Sequence, residues 1–220
     1  MDIFDILGPV MVGPSSSHTA GAVRIGRMAR TLLGGQPVRA DIGLHGSFAE
    51  TGPGHGTDRA LVAGLLGMHP DDLNIPRSFE IAEERGLRFT FCTLNLKDAH
   101  PNTAVLDVED AAGKRLKVQA ASTGGGRIRV DKINGVDVSF TGAYNTLVVC
   151  HQDVAGELNW ITRELADGGV NIANMSLFRN RRGGDVLTVI EMDEKLSAEV
   201  QGRIRSLPAV HSVTYYEKED

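Results

Sequence analysis

The chain has 220 residues, 41% of them hydrophobic and 23% charged, with a formal net charge of −5 at pH 7. This composition is typical of a globular protein with one or two cores and lacks the basic stripe that nucleic-acid binding needs. No apolar run approaches the roughly 20 residues of a membrane-spanning helix, and the acidic start Met1–Asp5 lacks the basic segment of a signal peptide. The sequence therefore predicts a cytoplasmic protein with no nucleic-acid and no membrane partner.

The first predicted elements are helices joined by a strand and a glycine-rich turn. Apolar residues at helical intervals predict a helix over residues 19–33, and the Gly34-Gly35 pair after it is typical of a helix end. Alternating apolar residues predict a strand over 38–44. A glycine-dense turn over 51–57 then leads into a second helix, for which Thr57 is the predicted N-cap.

Beyond a short helix predicted near residues 78–85, the hydrophobic period changes to two. The candidate strands span 87–91, 105–108, 116–120, 128–130 and 136–140. Asn134-Gly135 predicts a tight type I′ turn between the last two strands. This first part of the chain is therefore predicted to be an α+β domain with a largely antiparallel sheet.

Near residue 144 the pattern restarts. A strand, a helix, two strands, a helix and a final strand follow within about 70 residues, which is the βαββαβ order of a ferredoxin-like domain. The predicted class is therefore α+β with two domains, residues 1–142 and 146–220, joined by a short linker.

The two cysteines, Cys92 and Cys150, both lie in apolar, strand-like segments and are predicted to be buried free thiols. Two isolated cysteines cannot hold a [4Fe–4S] cluster without other ligands. The histidines have no His-x-x-x-His spacing, and no metal site is predicted on this chain.

The segment Gly13-Pro-Ser-Ser-Ser-His-Thr-Ala-Gly21 places Ser15, Ser16, Ser17, His18 and Thr19 directly before a predicted helix. Free N–H groups and the helix dipole favour an anion at such a position, and a histidine can move a proton near neutral pH. A plain N-cap with surplus serines explains the same pattern.

Two further segments carry candidate site residues. Gly52-Pro-Gly-His-Gly-Thr-Asp58 places His55 at the start of a helix beside Thr57 and Asp58, and its glycines permit close approach of a ligand. His100-Pro-Asn-Thr103 lies between two strands and offers His100 and Asn102. An incidental glycine-rich turn and an ordinary loop are the alternatives.

In this order, the three segments resemble the iron–sulfur-dependent L-serine dehydratases, and the match covers essentially the whole first domain. The second domain resembles an ACT domain through His151-Gln-Asp-Val-Ala-Gly156 and Gly169-Val-Asn-Ile172. The family includes single long chains and split pairs, and this chain resembles the split β-type subunit.

The resemblance implies a subunit that deaminates L-serine to pyruvate and ammonia together with a partner α subunit, which holds the [4Fe–4S] cluster. His18, His55 and His100 are the implied catalytic candidates, and the base is not assigned among them. The implied substrate-binding residues are Ser15, Ser16, Ser17, Thr19, Thr57, Asp58 and Asn102.

For the ACT domain the resemblance implies a site for an amino acid or a monovalent cation, or a role in dimerisation. The implied effector residues are Asp153, Gly156, Asn171 and Ile172. A regulatory serine-sensing module without a catalytic role is the main alternative for the whole chain. An independent Ser–His hydrolase is disfavoured because no acidic residue neighbours His18 in the sequence.

Overall fold

The computed structural model describes residues 10–179 and 181–218, so the acidic start Met1–Asp5 lies outside the described residues. The chain divides into two compact units, Met1–Gly135 and Val136–Asp220. Helices and mostly antiparallel strands make up both units, which confirms the predicted α+β class. The domain limits at 142 and 146 remain a prediction.

In the described part of the first unit, the first helical element is a π-helical turn at Ser16–Gly21, which runs directly into the first α-helix. The helices are α1 (Ala22–Leu33), α2 (Ser47–His55), α3 (Thr57–Leu65) and α4 (Ser78–Glu84), the last preceded by a 3-10 turn at Ile75–Arg77. The strands are β1 (Arg39–His45), β2 (Arg88–Leu94), β3 (Thr103–Glu109), β4 (Arg115–Gly124) and β5 (Arg127–Ile133).

The strands of this unit lie in the order β2-β1-β3-β4-β5. From β1 through β5 the neighbours are antiparallel, whereas β1 and β2 are parallel and paired from Arg39–Arg88 to His45–Leu94. A parallel pair needs a long crossover, and α2, α3 and α4 supply it. The site described below therefore lies where β1 ends and this crossover begins.

Helices α1 and α3 approach each other closely through two glycines. A Cβ atom placed on Gly64 would lie 2.1 Å from the Val23 carbonyl oxygen, and one on Gly26 would lie 2.3 Å from that of Leu61. Both obstacles are backbone atoms, so only glycine permits this helix spacing. The buried face of α1 packs on β3 and β4, and α3 packs on α1.

The second unit begins with β6 (Val136–Phe140), after a turn in which Asn134 (φ 50°) and Gly135 (φ 81°) are both left-handed, as the predicted type I′ turn requires. The elements that follow are β7 (Asn145–Gln152), α5 (Glu157–Asp167), β8 (Ile172–Arg179), β9 (Asp185–Met192), α6 (Ala198–Arg205) and β10 (Val210–Tyr216). The sheet order β10-β7-β9-β8 is antiparallel throughout, which confirms the ferredoxin-like prediction.

The core of the second unit lies between this sheet and its two helices. Leu147, Ile161, Ile190 and Ile204 are fully buried there. No helix in the described ranges is long and apolar enough to cross a membrane.

Two predictions about residues 51–57 are wrong. The glycine-dense stretch expected as a turn is mostly helical, because α2 extends to His55 and is held by contacts with His18. Thr57 is the first residue of α3 rather than its cap. Gly56 takes the cap position with φ 70°, since the single residue between two helices must turn the chain sharply.

The burial predicted for Cys92 is also wrong. Its side chain is exposed, and that of Cys150 is half-buried. Cys92 lies on β2, which is the edge strand of its sheet. An edge strand is less covered than its apolar sequence suggests, because a neighbouring strand is present on one side only.

Candidate active site

The backbone of His18 is held at the entrance to α1. Ser15 precedes the π-helical turn in an extended conformation, and its Oγ accepts a hydrogen bond from the His18 backbone N–H at 3.2 Å. This is the N-cap that the serine-rich segment predicts. Ser16 and Ser17 follow within the turn and are half-buried.

Both ring nitrogens of His18 are engaged. Its Nε2 lies 3.1 Å from the Ser47 Oγ and 3.0 Å from the Thr51 Oγ1, while its Nδ1 lies 3.4 Å from the Ser15 Oγ. Phe48 packs edge-on against the ring, with the centroids 5.3 Å apart. Burial, and then the nearby charge of His55, lowers the pKa of His18, and a hydrogen bond to Ser47 partly opposes this.

His55 lies beside His18, with ring centroids 5.2 Å apart. The His55 side chain is exposed, and its Nδ1 lies 3.2 Å from the backbone oxygen of Thr51, one helical turn earlier. A carbonyl oxygen can only accept, so Nδ1 of His55 carries the hydrogen. The structure thus brings together two of the three predicted histidines.

His100 occupies a turn that packs against the start of α2. The Asn102 N–H donates to the His100 Nδ1 at 3.1 Å, and the Thr103 hydroxyl donates to the His100 carbonyl oxygen at 2.7 Å. The Pro101 oxygen accepts from the Phe48 N–H at 3.5 Å. A Cβ on Gly46, where φ is 54°, would lie only 2.7 Å from that oxygen, so this contact requires glycine.

A cavity of about 220 Å³ opens beside His55. Its lining includes Gly13, Thr19, Gly54, His55, Gly56 and Arg59. The Thr19 hydroxyl is buried and has no hydrogen-bond partner among the described residues, and the same holds for Thr57 at the start of α3. Thr19 lines the cavity, whereas Thr57 is fully buried behind it. A buried donor near a helix N-terminus suits a small anionic group.

Arg59 provides a cation at the cavity. Its guanidinium donates to the Pro76 carbonyl oxygen and lies 5.0 Å from the centroid of the Phe79 ring. One carboxylate oxygen of the neighbouring Asp58 accepts from the Arg59 backbone N–H at 2.8 Å. The side chain of Asn102 is half-buried.

The predicted effector residues of the second unit are not brought together. The Asp153 carboxylate, after β7, accepts from the Gly183 N–H at 2.9 Å and from Arg179 at 3.0 Å. The hydrogen bond from Gly183 has the largest effect in lowering the pKa of Asp153, and the bond from Arg179 adds to it. Gly156 starts α5 near this end of the sheet.

Asn171 and Ile172 lie at the opposite end of the sheet. Gln152, at the end of β7, pairs with Asp185 on β9. Ile172 pairs with Met192, which lies seven residues further along β9. Seven strand residues span roughly 23 Å. Asn171 donates to the Glu194 and Asp193 carboxylates at 2.7 and 2.8 Å, so the residues form two separate groups within one chain.

The sequence patterns did not indicate Ser47, Thr51 or Arg59. The i, i+4 spacing of Thr51 and His55 was a usable signal, because residues four apart lie on one helix face. That signal was hidden by the prediction of a turn over 51–57. Among residues 10–179 and 181–218, no group of three or more His, Cys, Asp or Glu side chains is arranged to hold a metal.

The fold is that of an α+β protein whose first unit brings His18 and His55 together near a cavity and whose second unit is ferredoxin-like. A family model described as "Serine dehydratase beta chain" matches residues 1–86. The "Probable L-serine dehydratase, beta chain" of Bacillus subtilis is 39% identical over 212 residues, which cover 96% of each chain. The chain belongs to the family of L-serine dehydratase beta chains.

A second relative agrees with this assignment. The "L-serine dehydratase, beta chain" of Peptoniphilus asaccharolyticus is 37% identical over 97% of both chains. Among solved structures, the ACT domain from a GTP pyrophosphokinase of Chlorobium tepidum covers 32% of this chain and 82% of its own, at 19% identity and a TM-score of 0.27. The end-to-end relatives support an enzyme subunit over a purely regulatory module.

Proposed function

We propose that this chain completes the active site of an L-serine ammonia-lyase and that His55 is its general base. In this reaction L-serine loses its Cα proton and its Cβ hydroxyl, and the resulting aminoacrylate hydrolyses to pyruvate and ammonia. A base must therefore reach a weakly acidic C–H bond with a free lone pair near neutral pH. The hydrogen-bond pattern of the three histidines supports this assignment.

His55 is the histidine with a lone pair available. Its Nδ1–H is donated to the Thr51 oxygen, so the neutral ring carries its lone pair on Nε2, which makes no hydrogen bond within the described part of the chain. Both nitrogens of His18 have hydroxyl partners. The Nδ1 of His100 accepts from Asn102, which leaves its Nε2 as a donor when the ring is neutral.

The cavity beside His55 is the proposed place for the serine carboxylate. The Thr19 hydroxyl and Arg59, which both line the cavity, supply a hydrogen-bond donor and positive charge. Thr57, at the N-terminus of α3 behind the lining, is proposed to add a further donor. The hydroxyls of Ser16 and Ser17, with His100, Asn102 and Asp58, are proposed for the other polar groups of the substrate. Ser15 acts through His18, which it holds from both the backbone and the ring.

The residues of this chain do not fit an iron–sulfur cluster. Cys92 and Cys150 are isolated thiols, one in each compact unit. We therefore assign the [4Fe–4S] cluster, which would supply Lewis-acid chemistry at the serine hydroxyl, to an α subunit that faces the histidines. The complex is proposed to work in the cytoplasm.

The test is anaerobic pyruvate formation from L-serine by the chain co-expressed with a cluster-bearing α subunit. We expect His55→Gln to lower kcat by about a hundredfold or more, the usual contribution of a general base. His69→Gln is the matched control, because His69 is an exposed histidine outside the site. Full activity of the His55 variant would refute the assignment. If the variants change only an effector response, the chain is a regulatory module.

For the second unit we propose an effector site shared by two copies of the chain. Strand β8 is an edge strand with exposed apolar side chains, Met175 at 40% and Leu177 at 41%. Its last residue, Arg179, pairs with Asp153. Antiparallel pairing of two β8 strands would place Asn171 and Ile172 of one copy beside Asp153 and Gly156 of the other.

This arrangement would close a site for an amino acid or a monovalent cation at the interface. Leu177→Lys is expected to convert the dimer to a monomer in light scattering and to abolish binding of the effector by calorimetry. Leu73→Lys changes an exposed leucine of the first unit and should do neither. A Leu177→Lys protein that remains dimeric would exclude β8 as the interface.

A further inference from the structure

Thr51 contacts both adjacent histidines through different polar groups. Its hydroxyl oxygen lies 3.0 Å from the Nε2 of His18, and its backbone oxygen lies 3.2 Å from the Nδ1 of His55. The two rings are tilted by 41° with centroids 5.2 Å apart. Thr51 is half-buried in α2, one helical turn before His55.

The direction of each hydrogen bond follows from counting hydrogens. The Thr51 hydroxyl has one hydrogen, which it donates to the Ser47 carbonyl oxygen at 2.8 Å. Toward His18 it can therefore only accept, so Nε2 of His18 carries a hydrogen. The Thr51 carbonyl also only accepts, so Nδ1 of His55 carries a hydrogen. One residue thereby selects opposite tautomers in two neighbouring rings.

The remaining contacts of His18 are consistent with this assignment. Its Nδ1, left with a lone pair, lies 3.4 Å from the Ser15 hydroxyl, which is free to donate because the Ser15 oxygen accepts from a backbone N–H. The Ser47 hydroxyl, 3.1 Å from Nε2, serves as a second acceptor. A donor at Nδ1 and acceptors at Nε2 match the neutral ring of His18, and its burial favours that form.

We propose that Thr51 is a positioning residue that keeps the hydrogen of the neutral His18 ring on Nε2 and that of the neutral His55 ring on Nδ1. Its importance for catalysis rests on the proposed role of His55 as the base. As a result, Nε2 of His55 carries the lone pair, and the neighbouring His18 ring carries no positive charge. Without the Thr51 hydroxyl, His18 keeps only Ser47 as an acceptor at Nε2 and is held less firmly beside the base.

The variants Thr51→Val and Thr51→Ser test this proposal. Valine keeps the branched shape and removes the hydroxyl, while serine keeps the hydroxyl and removes the methyl group. In the α–β complex we expect Thr51→Val to lower kcat about fivefold, the effect of one lost hydrogen bond, with KM unchanged. Thr51→Ser should stay within about twofold of the unchanged protein. Circular dichroism shows whether each variant folds.

Nitrogen-15 NMR of the imidazole rings in the unmodified β chain provides a readout separate from activity. We expect His55 with its hydrogen on Nδ1 and His18 with its hydrogen on Nε2. The His18 signals should change in Thr51→Val and persist in Thr51→Ser. A His55 hydrogen found on Nε2, or identical His18 spectra in all three proteins, overturns the proposal. Inactivity of every complex with correct tautomers would instead count against the proposed function.

Discussion

Replacing Gly64 with alanine should separate α1 from α3 and destabilise the first unit. The added Cβ would lie 2.1 Å from the Val23 oxygen, 2.8 Å from the Arg27 nitrogen and 2.9 Å from the Gly26 Cα. Real Cβ atoms essentially never approach closer than 3.0 Å, so the helices must move apart by about 0.9 Å at this contact. Because all three obstacles are backbone atoms, no side-chain rotation can relieve the clash.

Two opposing effects set the size of the change. Alanine is the better helix former by about 1 kcal/mol. Overpacking costs about 1–3 kcal/mol when neighbours can shift, and a gap of about 0.5–1 Å forfeits a quarter to a half of the dispersion energy across the helix interface. Backbone obstacles place Gly64→Ala at the upper end of this range, so we expect a net loss of about 2 kcal/mol.

Gly202→Ala is the matched control. Gly202 lies within α6, and a Cβ added there meets nothing within 4 Å. This variant should gain up to about 1 kcal/mol from helix propensity. Urea denaturation followed by circular dichroism measures the free energy of unfolding of both variants. Hydrogen exchange of the α1 and α3 amides shows whether the loss of stability in Gly64→Ala lies at these two helices. A Gly64→Ala protein as stable as the unmodified chain would refute the argument from close packing.

Three further outcomes are expected. Because the pKa of His18 lies below its ordinary 6.5, the unfolded chain binds the proton more readily, so stability should fall as pH drops below about 6.5, and His18→Gln should flatten this dependence in thermal unfolding. Gly46→Ala should cost about 1 kcal/mol or more and lower kcat, because it displaces the turn that carries His100. Arg59→Ala should raise KM for serine about tenfold with kcat nearly unchanged, whereas Arg77→Ala, at an exposed ion pair, should change neither. Equal effects of the two arginine variants would exclude Arg59 from substrate binding.

The elements predicted correctly are those whose signals are local. The end of α1 follows from Gly34, which takes the left-handed conformation with φ 98°. The turn at Asn134-Gly135 and the βαββαβ order also follow from local turn chemistry and hydrophobic period. Such features depend on residues that are close together in the chain.

The features missed depend on contacts distant in sequence. Helix α2 contains glycines that favour a turn, yet its Thr51 meets His18 across 33 positions, and this tertiary contact overrides local preference. The exposure of Cys92 depends on strand order, which periodicity does not reveal. The candidate site follows the same rule. Each of its three segments is recognisable in the sequence, whereas the contacts of Ser47 and Thr51 with His18 join residues about 30 positions apart and are visible only in the folded chain.

Asp153 and Asn171 lie at opposite ends of one sheet, so a single chain does not bring them together at one site. Under the proposed antiparallel pairing, each chain supplies half of two equivalent sites, so effector binding and chain association are linked by mass action. Apparent effector affinity should then weaken as the protein is diluted, and effector should shift chains toward pairs. Titrations at micromolar and nanomolar chain concentrations are expected to yield different dissociation constants for the same ligand.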